Sequence, residues 1–152
     1  MSKELIKILI VDDHPTMIEG YKSILYSYYS PDNLSITIAH SCETAHLYIT
    51  KSNQHFDLVL LDLALPPYEP AKLASGEDLA VLIQKLWKET KIMMLTSHTE
   101  AFILYNLIKK INPEALLIKS DFKSEEFLKA FEKVLQGQTY YSQTAQQSIK
   151  EV

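Results

Sequence analysis

The sequence contains no arginine, and all fifteen of its basic residues are lysines. The planar guanidinium fork that reads guanine edges and grips phosphates bidentately is therefore missing. With a formal net charge of −4, these 152 residues are poorly suited to bind DNA themselves. Cysteine is nearly absent as well: Cys42 alone can form neither an internal disulfide nor a cysteine-rich zinc site. Cys42 reads as a small, half-buried apolar residue. Glycine occurs only at Gly20, Gly76 and Gly137, which leaves no GxGxxG or Walker-type loop to cradle a nucleotide. No apolar run nears the roughly 20 residues of a membrane span, and the start MSKELIKILIV lacks the layout of a signal peptide. The expectation is a cytoplasmic protein with no membrane partner.

What is present is material for one globular domain with a substantial core, since 47% of the residues are apolar. Lys7 to Val11 is a short β-branched run that stops at Asp12-Asp13, as a fully buried strand does at a polar edge. Pro15 then opens a helix on which Met17, Tyr21, Ile24, Leu25 and Tyr28 recur at helical spacing, until Ser30 to Asn33 breaks it. Leu34 to Ala39 reads as a second strand and Cys42 to Ile49 as a second helix. Phe56 to Leu61 is the most apolar run and also ends at an acid, Asp62. Pro66, Pro67 and Pro70 make Leu63 to Ser75 a long connection, followed by a helix over about Gly76 to Lys88. Lys91 to Leu95 is a fourth strand. Ser97 with Glu100 predicts a capping box for a helix reaching Ile111. Ala115 to Ile118 is a fifth strand, and Ser124 begins a last helix that Gly137 stops. Five strands alternating with five helices, too apolar to face water, describe a doubly wound α/β fold: a parallel sheet with helices on both faces.

In such sheets the ligand site lies beyond the carboxyl ends of the strands. The residues there are Asp12 and Asp13, Asp62, Thr96 and Lys119. Singly, each reads as a turn, cap or solvated residue. Together, five groups of suitable type fall on four strand ends already marked by the fold. Three converging carboxylates repel one another unless a cation sits among them. Oxygen donors favour Mg²⁺, with Mn²⁺ as a substitute, and Mg²⁺ keeps waters that leave room for phosphate. Asp62 can then serve as nucleophile toward a phosphoryl group, with Lys119 as the pairing cation and Thr96 as a hydroxyl that senses the phosphoryl oxygen. The five histidines lack a mutual spacing of three or four on a helix, so no histidine metal site is expected, and His14 and His98 are placed on the rim without a chemical role. Phe102 and Tyr105 are expected toward the outer edge of the fourth helix.

The motifs LIVDDHP, LVLLD with Pro66 four residues after Asp62, MLTS and LLIKS resemble the receiver domain of two-component response regulators, over about Ile8 to Ser142. The resemblance implies a flavodoxin-like five-stranded sheet of order 2-1-3-4-5. It makes Asp62 the phosphoacceptor, Asp12 and Asp13 the Mg²⁺-binding acid pair, and Ala64 a backbone-carbonyl ligand; Thr96 becomes the switch hydroxyl and Lys119 the phosphate-pairing lysine. The implied partner is a sensor histidine kinase or phosphotransfer protein, and the implied role is a regulatory phosphoacceptor rather than a metabolic enzyme. DDHP, Glu19-Gly20 and the segment KSDFKSEEFLKAFEKVLQGQTYYS are similar to the regulators with a LuxR-type helix-turn-helix output. That implies a receiver over 1–138 and, at 139–152, a tail or linker start leading to an output domain outside this sequence, through which alone DNA would be bound. Homodimer formation stays open.

Three departures from the family pattern stand out. Pro66 is ten residues before Gly76, an insertion of about six; Leu116 occupies the usual aromatic switch position; Asn112-Pro113-Glu114-Ala115 replaces a glycine-rich segment. Two rival readings are kept. A metal-dependent phosphohydrolase of the haloacid dehalogenase kind would use Asp12 as nucleophile with a second acid two residues on, where this chain has His14. A receiver-like interaction module that is never phosphorylated is the other.

Overall fold

The computed structural model describes residues 5–51, 53, 55–120 and 123–151. The strands are β1 (Ile6–Val11), β2 (Leu34–Ala39), β3 (Leu58–Asp62), β4 (Lys91–Thr96), β5 (Ala115–Ile118) and β6 (Tyr140–Tyr141). The helices are α1 (Pro15–Tyr28), α2 (Cys42–Lys51), α3 (Gly76–Leu86), α4 (Ala101–Lys110), α5 (Ser124–Leu135) and α6 (Gln143–Glu151). All neighbouring strands pair in parallel, in the order β2-β1-β3-β4-β5-β6. Side chains alternate across the sheet with period two. Leu9, Val11, Val59, Leu61, Ile92, Met94, Leu116 and Ile118 join the core shared with α2, α3, α4 and α6. Ile8, Ile10, Leu58, Leu60, Met93, Leu95 and Leu117 join the core shared with α1 and α5. The order in which strands are added reverses between β1 and β3, which remain parallel, and that switch point is where the site lies.

Among the described residues the sheet has six strands where the sequence suggests five, because Tyr140-Tyr141 pairs with Ala115-Leu116. Its connection is of uncommon hand. The β3–α3–β4 and β5–α5–β6 units advance in the same direction across the sheet, yet α3 and α5 lie on opposite faces, so the two crossovers have opposite handedness. Rules of topology therefore give no hint of β6. The segment holds by other means: Tyr140 N–H donates to Glu114 O at 2.9 Å and Ser142 N–H to Leu116 O at 3.0 Å. The Tyr140 hydroxyl donates to Glu126 Oε2 at 2.7 Å and the Tyr141 hydroxyl to Pro113 O at 2.9 Å. α6 then packs along α4 with Ala145 fully buried.

The capping box at Ser97 is not formed. α4 begins at Ala101 with Glu100 as its N-cap, and the Glu100 carboxylate turns back onto the Thr99 amide at 3.1 Å. Ser97 to Glu100 stay as an exposed loop. On α4, Leu104 and Leu107 face the sheet, whereas Phe102 is 68% exposed. The insertion closes on itself: Tyr68 and Leu73 form an antiparallel bridge, with Leu65 and Leu73 buried beneath it. Asn112 adopts the left-handed conformation, φ 52°, that asparagine tolerates better than other non-glycine residues, so it takes over the turn from the absent glycine.

Candidate functional site

Each strand-end residue is set by a backbone contact before it takes part in the site. The Asp12 amide donates to Ala39 O of β2 at 3.1 Å, which holds Asp12 one residue past β1 with 1% exposure. Asp62 closes β3 with 2% exposure. The Leu63 amide donates to Leu95 O at 3.1 Å and the Gly76 amide to Leu63 O at 3.0 Å, which seats the α3 N-terminus directly on the β3 end. A Cβ at Gly76 would collide with the Asp62 carbonyl oxygen. Only glycine fits that approach. The Lys119 amide donates to Thr96 O at 2.7 Å, locking the ends of β4 and β5 together.

The side chains of Asp12, Asp13, Asp62 and Lys119 converge. Lys119 Nζ is 3.1 Å from Asp62 Oδ2 and 3.3 Å from Asp12 Oδ2, bridging the two buried acids. Asp62 Oδ1 accepts the Ala64 amide at 3.2 Å, and Asp12 Oδ1 accepts the His14 amide at 2.8 Å. Burial, and next the Asp12 charge, push the Asp62 carboxyl above its ordinary range, against the pull of Lys119 and the Ala64 amide. Thr96 is 1% exposed, and its hydroxyl oxygen accepts the His98 amide at 3.0 Å. Ala64 lies exposed beside Asp62.

Two neighbours have more contact with the site than their sequence positions suggest. His14 stands on the rim in direct contact with the acids, with Nδ1 at 3.1 Å from both Asp12 Oδ1 and Asp13 Oδ1. Tyr21 reads in sequence as one more member of the α1 stripe. It is fully buried and stacked on Phe127 of α5, with centroids 5.5 Å apart. Burial, followed by the Asp12 and Asp62 charges, raises its phenol well above the usual tyrosine range, so the hydroxyl stays protonated near these carboxylates.

The donor set fits a divalent cation. Asp13 Oδ1 and Asp62 Oδ2 are buried without a hydrogen bond, since Lys119 near Asp62 Oδ2 pairs by charge without the alignment of a donor. Donor atoms of Asp12, Asp13, His14 and Asp62 lie within 4.8 Å of one another. Hard oxygen atoms in excess of the available protons and donors are what a hard dication satisfies.

The family model described as the response regulator receiver domain matches residues 8–132. The chain belongs to the response regulator receiver family. Its fold is shared with the isolated receiver domain of RcsB from Salmonella enterica serovar Typhimurium, solved with the phosphomimetic BeF₃⁻. The two are 18% identical with a TM-score of 0.78, over 96% of this chain and 99% of that one. A LuxR-family response regulator from Aurantimonas sp. SI85-9A1 is 24% identical with a TM-score of 0.75, over 97% of each chain. A longer structure of the Salmonella typhimurium RcsB regulator gives 17% identity and a TM-score of 0.80 over 97% of this chain, which spans 66% of that chain's length. At these identities the likeness establishes the fold. No curated protein matches the chain. Among the described residues of this receiver, no helix is long and apolar enough to cross a membrane.

Proposed function

We propose that this receiver is a phosphorylation-dependent switch in which Asp62 accepts a phosphoryl group from a phosphohistidine of a sensor kinase or phosphotransfer protein. The reading is carried by one observation: a carboxylate at the end of the central strand, 2% exposed, facing the Lys119 ammonium at 3.1 Å among two further acids. Asp62 forms a new O–P bond as the P–N bond to the donor imidazole breaks. Asp12, Asp13, Asp62 and the Ala64 carbonyl would hold Mg²⁺, or Mn²⁺ in its place. When bound, that ion neutralises the phosphoryl oxygens. Lys119 pairs with the same oxygens and Thr96 offers its hydroxyl to them.

A bound phosphoryl group adds a charge of about −1.5 to −2. The Thr96 oxygen accepts the His98 amide and its O–H is left to donate to a phosphoryl oxygen, so a shift of the hydroxyl toward that oxygen pulls on the loop 97–100, which leads into α4. The surface that responds is therefore the α4 side of the molecule. We assign 1–138 to the receiver and 139–152 to its junction with an output domain, transcriptional as in the LuxR-type regulators. The solved RcsB relatives include two dimers bound to two parallel DNAs. An all-lysine, acidic receiver would leave DNA contact to such a domain. The receiver's own chemistry is limited to gaining and losing its phosphoryl group. The test is incubation with Mg²⁺ and a small acyl phosphate: one hydroxylamine-labile phosphoryl group per chain is expected. No uptake with either this donor or a phosphohistidine donor would overturn the reading.

A further inference from the structure

His14 is fixed for a more direct part in the site than the sequence suggests. Its backbone is pinned on both sides: the amide donates to Asp12 Oδ1 at 2.8 Å, while the carbonyl accepts the Met17 and Ile18 amides at 3.0 and 3.2 Å. Only side-chain rotation remains, and the rotamer present places Nδ1 3.1 Å from Asp12 Oδ1, 3.1 Å from Asp13 Oδ1 and 3.8 Å from Asp62 Oδ2. On a six-coordinate ion with bonds of ~2.1 Å, adjacent donor atoms lie ~3.0 Å apart and opposite ones ~4.2 Å. Nδ1 thus has the spacing of a neighbouring ligand to both Asp12 and Asp13, and Asp62 falls between the adjacent and opposite positions. A hydrogen-bonding role alone does not complete the site. The imidazole lies equally near Asp12 Oδ1 and Asp13 Oδ1 but is hydrogen-bonded only to Asp12 Oδ1, and Asp13 Oδ1 and the Oδ2 of Asp62, a residue 2% exposed, stay buried without a hydrogen bond.

We propose that His14 Nδ1 is itself a ligand of the divalent ion and sets which ion the pocket prefers. The inference rests on the reading of the acid pocket as a metal site and deepens it by adding metal selectivity. An imidazole nitrogen adds little for Mg²⁺, which favours oxygen and water, and adds much for Mn²⁺, Co²⁺, Ni²⁺ and Zn²⁺, increasingly along the Irving–Williams order. Three carboxylates with one imidazole therefore bias this receiver toward transition-metal ions relative to an all-oxygen pocket. The side chain is 58% exposed, so the ion reaches it from solvent.

The test uses the whole chain with Mn²⁺ as a spectroscopic probe. Electron spin echo modulation is expected to show one directly bound nitrogen in the wild type, and in His14→Ala none. Calorimetric titration of His14→Ala is expected to show Ni²⁺ binding weakened by about tenfold or more and Mg²⁺ binding weakened by less than about threefold. Mn²⁺ bound without nitrogen coupling, and lost in Asp13→Asn, would overturn ligation by His14 while leaving the acid pocket a metal site. No Mn²⁺ binding by the wild type would overturn both. The wild-type spectrum decides the matter even should the alanine variant fail to fold.

Discussion

The acid rim and the C-terminal segment from Tyr140 to Glu151 are held against the same sheet by opposite means. The rim gathers three carboxylates, two of them buried, around one lysine, and backbone bonds with a glycine hold these groups where their charges oppose one another. The C-terminal segment is secured by ordinary stabilising contacts: two strand hydrogen bonds, two tyrosine hydroxyls and a buried alanine against α4. Reactivity is built where the structure is under electrostatic tension, and attachment where it is not. Changes on the rim should therefore alter chemistry out of proportion to stability, and changes in the C-terminal segment the reverse.

The largest expected loss of stability comes where the two kinds of support meet. Gly76→Ala forces a Cβ against the Asp62 carbonyl oxygen and Leu63, and should cost about 3 kcal/mol in chemical denaturation, since neither contact is a flexible side chain. Ending the chain after Gln138 removes β6 and α6 and should cost about 2 kcal/mol while leaving phosphoryl uptake intact. Loss of uptake on that truncation would break the distinction between the regions.

The rim itself should reveal its tension through pH. Because the Asp62 carboxyl is held above its ordinary value, the folded protein binds more protons than the unfolded chain between the two values. Metal-free stability should then fall as pH rises from about 4, the ordinary aspartate value, through the raised one. Asp62→Asn should remove this contribution and raise the metal-free melting temperature at neutral pH, and divalent cation should stabilise the wild type more at pH 8 than at pH 5. Thermal scans across pH check each point. The smallest effect belongs to the insertion: Lys72 sits at φ 59°, and Lys72→Gly should stabilise by up to about 1 kcal/mol in denaturant titration.

The strands β1 to β5 and the convergence of Asp12, Asp13, Asp62 and Lys119 were legible because buried parallel strands are continuous apolar runs and their ends are marked by abrupt changes to charge. What was not legible depended on distant partners. Tyr140-Tyr141 has no strand periodicity over two residues, and its pairing depends on the free edge of β5 and on Glu126 and Pro113. Glu100 failed to cap with Ser97 because its carboxylate went to the Thr99 amide instead. His14 was judged by its spacing from other histidines, a rule that overlooks one imidazole among carboxylates. Tyr21 lay hidden in a helical stripe, and only packing on Phe127 directs its hydroxyl toward the acids.

The central claim, that Asp62 is the acceptor, is most directly tested by residue-level mass spectrometry. The protein is phosphorylated with acyl phosphate and Mg²⁺, and borohydride then reduces the acyl phosphate to an alcohol. Reduction at Asp62 alone, abolished by chelation, is the expected result. Label at Asp12 or Asp13, or uptake that persists in Asp62→Asn, would contradict the account.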